Sequence, residues 1–191
     1  MARRKTSSRI PGTKIWVLAA ALVLAGWIFG REDPQMRETF FDMAERLLEG
    51  QTAPRDTMAG GARIIDGDTL DLDGTRIRLY GIDAPESAQS CKHGARSWAC
   101  GAEATRALAK MIGDEPLTCE ARDTDRYGRT VATCEAGGVS VNTWMVRNGW
   151  ALAYRQYGGA IYGANEDAAR RDRLGLWSGT FEMPWDWRKA H

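Results

Sequence analysis

The sequence predicts an α+β domain: a five-stranded β-barrel of the OB type with three helices, preceded by a hydrophobic N-terminal helix and a linker. Three observations carry this expectation. From Ala62 onward, β-rich runs and helical periodicities follow in the order β-β-β, helix, β-β, helix, helix. Five strands with a helix between the third and fourth is the order of a small Greek-key barrel. Upstream, a basic start leads into an uncharged apolar run and then into a stretch punctuated by Pro and Gly. At 191 residues, 43% of them hydrophobic, the chain suffices for one domain with a full core plus appendages.

The appendages come first. Arg3, Arg4, Lys5, Arg9 and Lys14 precede a charge-free run from Ile15 to Gly30. Basic then apolar is the order of a signal peptide or of a membrane anchor with its N-terminus inside. The run is shorter than the roughly 20 residues of a spanning helix. Ala19-Ala20-Ala21 offers a small-residue site, yet apolar residues continue past it. Residues 1–30 are therefore expected to be a basic start and an uncleaved anchor. The domain beyond would be exported, periplasmic or extracellular, and a cleaved signal with a secreted domain is the alternative. Asp33-Pro34 can open a helix, and Met36, Phe40, Met43, Ala44, Leu47 and Leu48 recur at helical spacing. Gln51 to Gly61 contains Pro54, Gly60 and Gly61 and reads as a flexible linker. Residues 31–61 are thus an amphipathic helix and linker with no protein partner evident, and 62–191 form the main domain.

Within that domain, Ala62–Asp66 and Asp68–Leu72 are short β-rich runs broken by Gly67. Asp73-Gly74 is a strong two-residue hairpin turn. Folding about it sets Leu70 beside Ile77 and Thr69 beside Arg78. Strict alternation puts Asp68 on the apolar face, away from Arg78, unless Gly67 marks a bulge that re-aims it. Pro85 ends the third strand, and Cys91 to Cys100 reads as an irregular loop. A helix is predicted over Gly101–Ile112, where Ala104, Ala107, Leu108, Met111 and Ile112 make one apolar face and Gly113 stops it. Pro116–Arg122 and Thr130–Glu135 are strands. Ser140 can cap a helix over Val141–Asn148, and Ala164–Leu174 is a charge-rich third helix stopped by Gly175. Trp185 and Trp187 are expected to pack back on the domain.

Four cysteines without a CxxC pair, and only two histidines, argue against structural zinc and for two disulfides in an oxidising compartment. If the fourth and fifth strands pair about Arg126-Tyr127, Cys119 falls opposite Cys134, within disulfide reach. That leaves Cys91 with Cys100. A net charge of +1 gives no broad basic field. A tight non-specific DNA binder usually shows a clearer excess of Lys and Arg, an enzyme with a local cleft of arginines needs none, and composition is neutral on substrate.

Two acidic clusters, Asp66-Gly67-Asp68 and Asp83-Ala84-Pro85-Glu86, lie at the two ends of the hairpin, with Arg78 on the returning strand. A later loop, Asp125-Arg126-Tyr127-Gly128-Arg129, supplies a second arginine. Carboxylates for a hard cation, a further carboxylate for water and two guanidinium forks are the parts that phosphodiester hydrolysis requires. With Ile65-Asp66-Gly67-Asp68-Thr69, Arg78 to Glu86, Asp125 to Arg129, Val141-Asn142, Val146 to Gly149 and Gly175-Leu176-Trp177-Ser178 in this order, the chain from about Ala62 to Gly179 resembles the staphylococcal nuclease (thermonuclease) family. The anchor and linker lie outside the resemblance.

The resemblance implies an OB barrel with three helices that hydrolyses DNA and RNA with calcium and leaves 3′-phosphate ends. It implies Asp68 and Asp83 as calcium carboxylates and the Ala84 carbonyl as a third ligand, where many members have Thr. Glu86 would position or deprotonate the attacking water, and Arg78 and Arg129 would bind the phosphate. Tyr154 or Tyr157 would line the nucleotide pocket, with spacing off by about a residue, and Arg126 is a candidate for steering phosphate. His93 reads as surface structure, the tryptophans as packing, and Arg170, Arg171 and Arg173 as a solvated helix face. The other class the sequence admits is a non-catalytic domain of the same fold that binds nucleic acid or protein. Retention of Asp68, Arg78, Asp83, Glu86 and Arg129 favours the enzyme.

Overall fold

A computed structural model describes residues 12–29, 38–44 and 56–191, and the chain falls into two units, Met1–Arg55 and Asp56–His191. In the first, α1 (Gly12–Phe29) has 18 residues, about 27 Å at 1.5 Å per residue, against a hydrocarbon core of about 30 Å. Among the described residues no helix is long and apolar enough to cross a membrane. Residues 38–44 (α2) are helical. The basic start, the remainder of the amphipathic segment and residues 51–55 of the linker lie outside the described residues.

The second unit is built on the hairpin of β3 (Thr69–Leu72) and β4 (Thr75–Leu79). Asp73 and Gly74 both take positive φ, 48° and 88°, as the commonest two-residue hairpin turn requires. The register is the predicted one, Leu70 opposite Ile77 and Thr69 opposite Arg78. Leu70, Leu72, Ile77 and Leu79 are buried together. β4 also pairs in parallel with β9 (Thr130–Ala136), which pairs with β8 (Leu117–Thr124) and with β10 (Val139–Ser140).

Two further strands depart from the expected boundaries. Thr57–Gly60 (β1), assigned to the linker from sequence, pairs with β8, and Ala62–Ile64 (β2) pairs with β3. An exposed edge of β8 recruits β1, and Met58 packs against the core. The sheet order is β1-β8-β9-β4-β3-β2. Its two edge strands are separated in the chain by Gly61 alone, so the sheet curls back towards itself. A short ladder joins β5 (Ile82–Asp83) to β11 (Leu152–Ala153). The expected irregular loop from Cys91 to Cys100 is instead a hairpin, β6 (Cys91–His93) with β7 (Arg96–Trp98).

The three predicted helices are α3 (Cys100–Ile112), α4 (Val141–Arg147) and α5 (Gly163–Arg171). Ala104, Leu108 and Ile112 of α3 are buried, and Ser140 caps α4 by accepting the Thr143 N–H. A fourth helix, α6 (Pro184–Ala190), opens with proline in its first turn and extends the expected set. Both disulfides form, Cys91–Cys100 and Cys119–Cys134, the latter between directly opposed residues of β8 and β9.

Cys119 and Cys134 are 15 residues apart and fully buried. Replacing both by Ala is expected to lower the unfolding free energy in urea by about 3 kcal/mol. A loss under about 0.5 kcal/mol, the size of an ordinary surface substitution, would show that the bridge does not brace this sheet.

Candidate active site

The turn that enters β3 places the first acid. Ile65 and Asp66 both donate their N–H to the Thr69 carbonyl, at 3.0 and 3.1 Å, and Asp66 Oδ1 accepts the Asp68 N–H at 3.0 Å. Gly67 sits at a close approach: a Cβ there would lie 2.6 Å from Ala84 Cβ and 3.1 Å from Ala104 Cβ. Only a residue without a side chain lets the turn lie this close to Ala84. Asp68, 4% exposed, then points at that segment and not into the apolar layer. Its Oδ2 accepts the Ala84 N–H at 2.7 Å, and its Oδ1 accepts from Thr69 Oγ1 and from Arg78 Nη1. Strict alternation is thus broken at Gly67, and Asp68 and Arg78 meet.

Arg78 also donates from Nη2 to Asp83 Oδ1 at 2.6 Å and to the Ile82 carbonyl at 3.3 Å. One guanidinium therefore bridges Asp68 and the fully buried Asp83. Glu86 follows on a turn fastened by Gln89, itself fully buried. The Gln89 N–H donates to the Glu86 carbonyl, Gln89 Oε1 accepts the Glu86 N–H at 3.2 Å, and Gln89 Nε2 donates to the Glu182 carbonyl at 2.7 Å.

Glu182 leads into α6, which delivers a residue that sequence reasoning missed. Arg188 donates from Nη2 to Asp83 Oδ2 at 2.8 Å, and from Nη1 to Asp83 Oδ1 at 3.1 Å and Glu86 Oε1 at 2.7 Å. Burial by itself would weaken its hold on the proton; hydrogen bonds to Asp83 and Glu86 outweigh that and raise its pKa. No local signal marks Arg188, because its partners lie 105 and 102 residues away. The same helix brings Trp185 against Tyr154, rings stacked at 5.4 Å and 4°. Tyr154 in turn leans on Tyr157 at 4.7 Å. Burial, then the negative charge of Asp83, raises the Tyr154 pKa.

Asp68, Arg78, Asp83, Ala84 and Glu86 are thus brought to one cluster, with Tyr154 within the field of Asp83. The loop arginines are engaged by partners of their own loop. Arg129 donates from Nε to Asp125 Oδ2 at 2.7 Å and lies over the Tyr127 ring. Arg126 stacks on the same ring and donates to its hydroxyl. At Asp125, burial would raise the pKa, but the Arg129 side chain and the Arg129 and Tyr127 amides outweigh it and lower it. Asp66 goes the other way: burial raises its pKa against the pull of Arg78, Thr69 and, more weakly, Arg129.

Among the described residues no group of three or more His, Cys, Asp or Glu side chains forms a metal cage. The Asp68 and Asp83 carboxylates and the Ala84 backbone offer hard oxygen donors that suit a calcium-like cation completed by water or substrate. A separate groove of about 560 Å³, lined by Met111, Trp144 and Trp150 among others, includes none of the cleft residues.

The model of the staphylococcal nuclease homologue family matches residues 76–179. The chain is 34% identical over 139 residues to a succinoglycan biosynthesis protein, ExoI, of Rhizobium meliloti strain 1021, covering 71% of this chain and 72% of that protein. It is 39% identical over 145 residues to a micrococcal nuclease of Shigella flexneri, covering 67% and 78%. It is 34% identical over 133 residues to an uncharacterized endonuclease of Escherichia coli O157:H7, covering 66% and 81%.

Two outcomes are expected from this geometry. Gly67→Ala should lower unfolding free energy by about 1–3 kcal/mol through overpacking. Adding Ala84→Gly, which removes the nearest atom, should recover part of the loss; no recovery would place the strain elsewhere. Asp66→Asn keeps the acceptor for the Asp68 N–H but removes a carboxylate whose folded pKa is raised. Its ionisation therefore opposes folding above the ordinary carboxylate pKa of about 4. The variant should match the wild type in thermal unfolding below that pH and gain on it as pH rises towards 7; a pH-independent difference would contradict this.

Proposed function

The chain belongs to the staphylococcal nuclease family, and we propose that it is a calcium-dependent endonuclease hydrolysing phosphodiester bonds of DNA, RNA or both. The observation that carries the proposal is the Arg78 fork on two buried carboxylates, Asp68 and Asp83, with Glu86 beside them. Asp68, Asp83 and the Ala84 carbonyl would hold calcium, which when bound supplies positive charge next to the scissile phosphate. Glu86, the least buried of the three acids, takes the proton of the attacking water. The water oxygen joins phosphorus, and the bond to the 5′ oxygen breaks, that oxygen leaving as a hydroxyl with a proton from solvent, so that the phosphate stays on the 3′ oxygen. Arg78 and Arg129 stabilise the charge that builds on the phosphate oxygens, as planar forks do better than an ammonium. Arg129 reaches the phosphate by exchanging its Asp125 partner. Tyr154 and Tyr157 supply a ring surface for the nucleotide, and Arg126 adds positive charge at the loop tip.

The curled sheet whose edge strands meet at Gly61 is read as the OB-type barrel. The two disulfides support export to an oxidising compartment. Residues 15–30 are proposed to associate the chain with the membrane, with the catalytic domain on the periplasmic or extracellular side.

Plasmid DNA should be cleaved with calcium and left intact with chelator, yielding 3′-phosphate ends. Glu86→Gln is expected to reduce the rate by about 10²–10⁴-fold and Arg129→Ala by about 10²–10³-fold, both with an unchanged urea midpoint. A fully active Glu86→Gln protein would remove the proton-accepting role from Glu86.

A further inference from the structure

We propose that α6 is an internal plug, in which Arg188 stands where the cation would bind and Trp185 stands where a nucleotide base would stack. The inference rests on the nuclease reading and adds a regulatory element to it. Trp185 and Arg188 are three positions apart in one helix and so project from the same face. That face meets the cleft at both of its proposed subsites at once.

At the cation subsite, each carboxylate oxygen has two lone pairs. Asp83 Oδ1 already accepts from Arg78 and Arg188, and Asp83 Oδ2 accepts from Arg188. Asp68 Oδ1 accepts from Thr69 and Arg78, and Asp68 Oδ2 from the Ala84 N–H. A calcium-like ion seeks six to eight oxygen ligands, as a rule. With α6 docked it meets an Asp83 carboxylate whose charge is matched by two guanidiniums, one of them on Glu86 as well. At the base subsite, the near-parallel Trp185–Tyr154 pair is the geometry in which a base would lie on the tyrosine. Pro184 is the one fully buried residue of the helix, and Trp185 packs partly buried against the cluster of Cys91, Cys100, Leu152 and Leu176. The preceding segment stays fixed by Gln89 on the Glu182 carbonyl and by the pairing of Thr180 with Lys92. Calcium and nucleotide therefore work against α6 docking, and by reciprocity α6 weakens the binding of both.

The test uses the full chain and its Arg188→Ala and Trp185→Ala variants. Calcium titration by calorimetry, without nucleic acid, is expected to show Arg188→Ala binding calcium about tenfold tighter than wild type, a typical coupling between linked sites. Trp185→Ala, which loosens the same helix, should shift calcium affinity in the same direction by less, and should bind tetrathymidylate more tightly. In the wild type, calcium should abolish the near-ultraviolet dichroism of the Trp185–Tyr154 stack. Equal calcium affinity in wild type and Arg188→Ala, with both cleaving DNA, overturns the plug while the nuclease reading holds. Calcium binding absent from both overturns the plug together with that reading. Weaker tetrathymidylate binding by Trp185→Ala makes α6 a wall of the substrate site and also overturns it.

Discussion

The site depends on one guanidinium. Asp68 and Asp83 are buried at the ends of different strands, and two buried carboxylates without a counter-charge would repel each other and forfeit their hydration. Arg78 resolves both problems by taking one carboxylate on each Nη. Its own strand is gripped on two sides, by β3 in antiparallel and β9 in parallel register, so the fork is fixed in place. Such a buried network contributes more to defining one geometry than to net stability. Removing one partner, by contrast, would cost about 3–5 kcal/mol. In the proposed mechanism Arg78 thus joins structure and chemistry in one side chain, and its deletion cannot separate the two.

Around this pair, exposure differs from one acid to the next. Asp83 is sealed and Asp68 nearly so, while Glu86 remains partly open to solvent on a turn that Gln89 holds by three hydrogen bonds reaching to Glu86 and Glu182. In the proposed mechanism the carboxylates that would hold calcium gain from rigidity, and the proposed proton acceptor gains from access to water. Arg129 and Arg126 belong to a different regime. They sit on a surface loop, Arg129 in a part-buried pair with Asp125 and both against the Tyr127 ring.

The features legible in the sequence were those fixed by short-range chemistry. The Asp73-Gly74 turn determined the β3–β4 register, and with it the pairing of Thr69 with Arg78. Cys119 does lie opposite Cys134, but through a register shift between Ala121 and Asp123 that the turn alone does not supply. Helix stops at glycine and the Ser140 cap placed α3 and α4. Other features depend on distant partners. Thr57–Gly60 looks like linker until the edge of β8 is there to pair with it. Gly67 signalled an irregularity, but its direction follows from the nearness of Ala84 and Ala104. Arg188 carries no motif; it is one more basic residue beside a tryptophan until the chain returns to Asp83.

That long return gives the chain a temporal asymmetry. Asp83 precedes Arg188 by 105 residues. At ordinary synthesis rates of about 5–20 residues per second, roughly 5–20 s separate the two on the ribosome. Throughout that interval Asp83 has Arg78, five residues before it, as the guanidinium already made. The Arg78–Asp83 pair is local in sequence, whereas Arg188 joins it only after β9 and β11, the partners of the β4 and β5 strands, have been made.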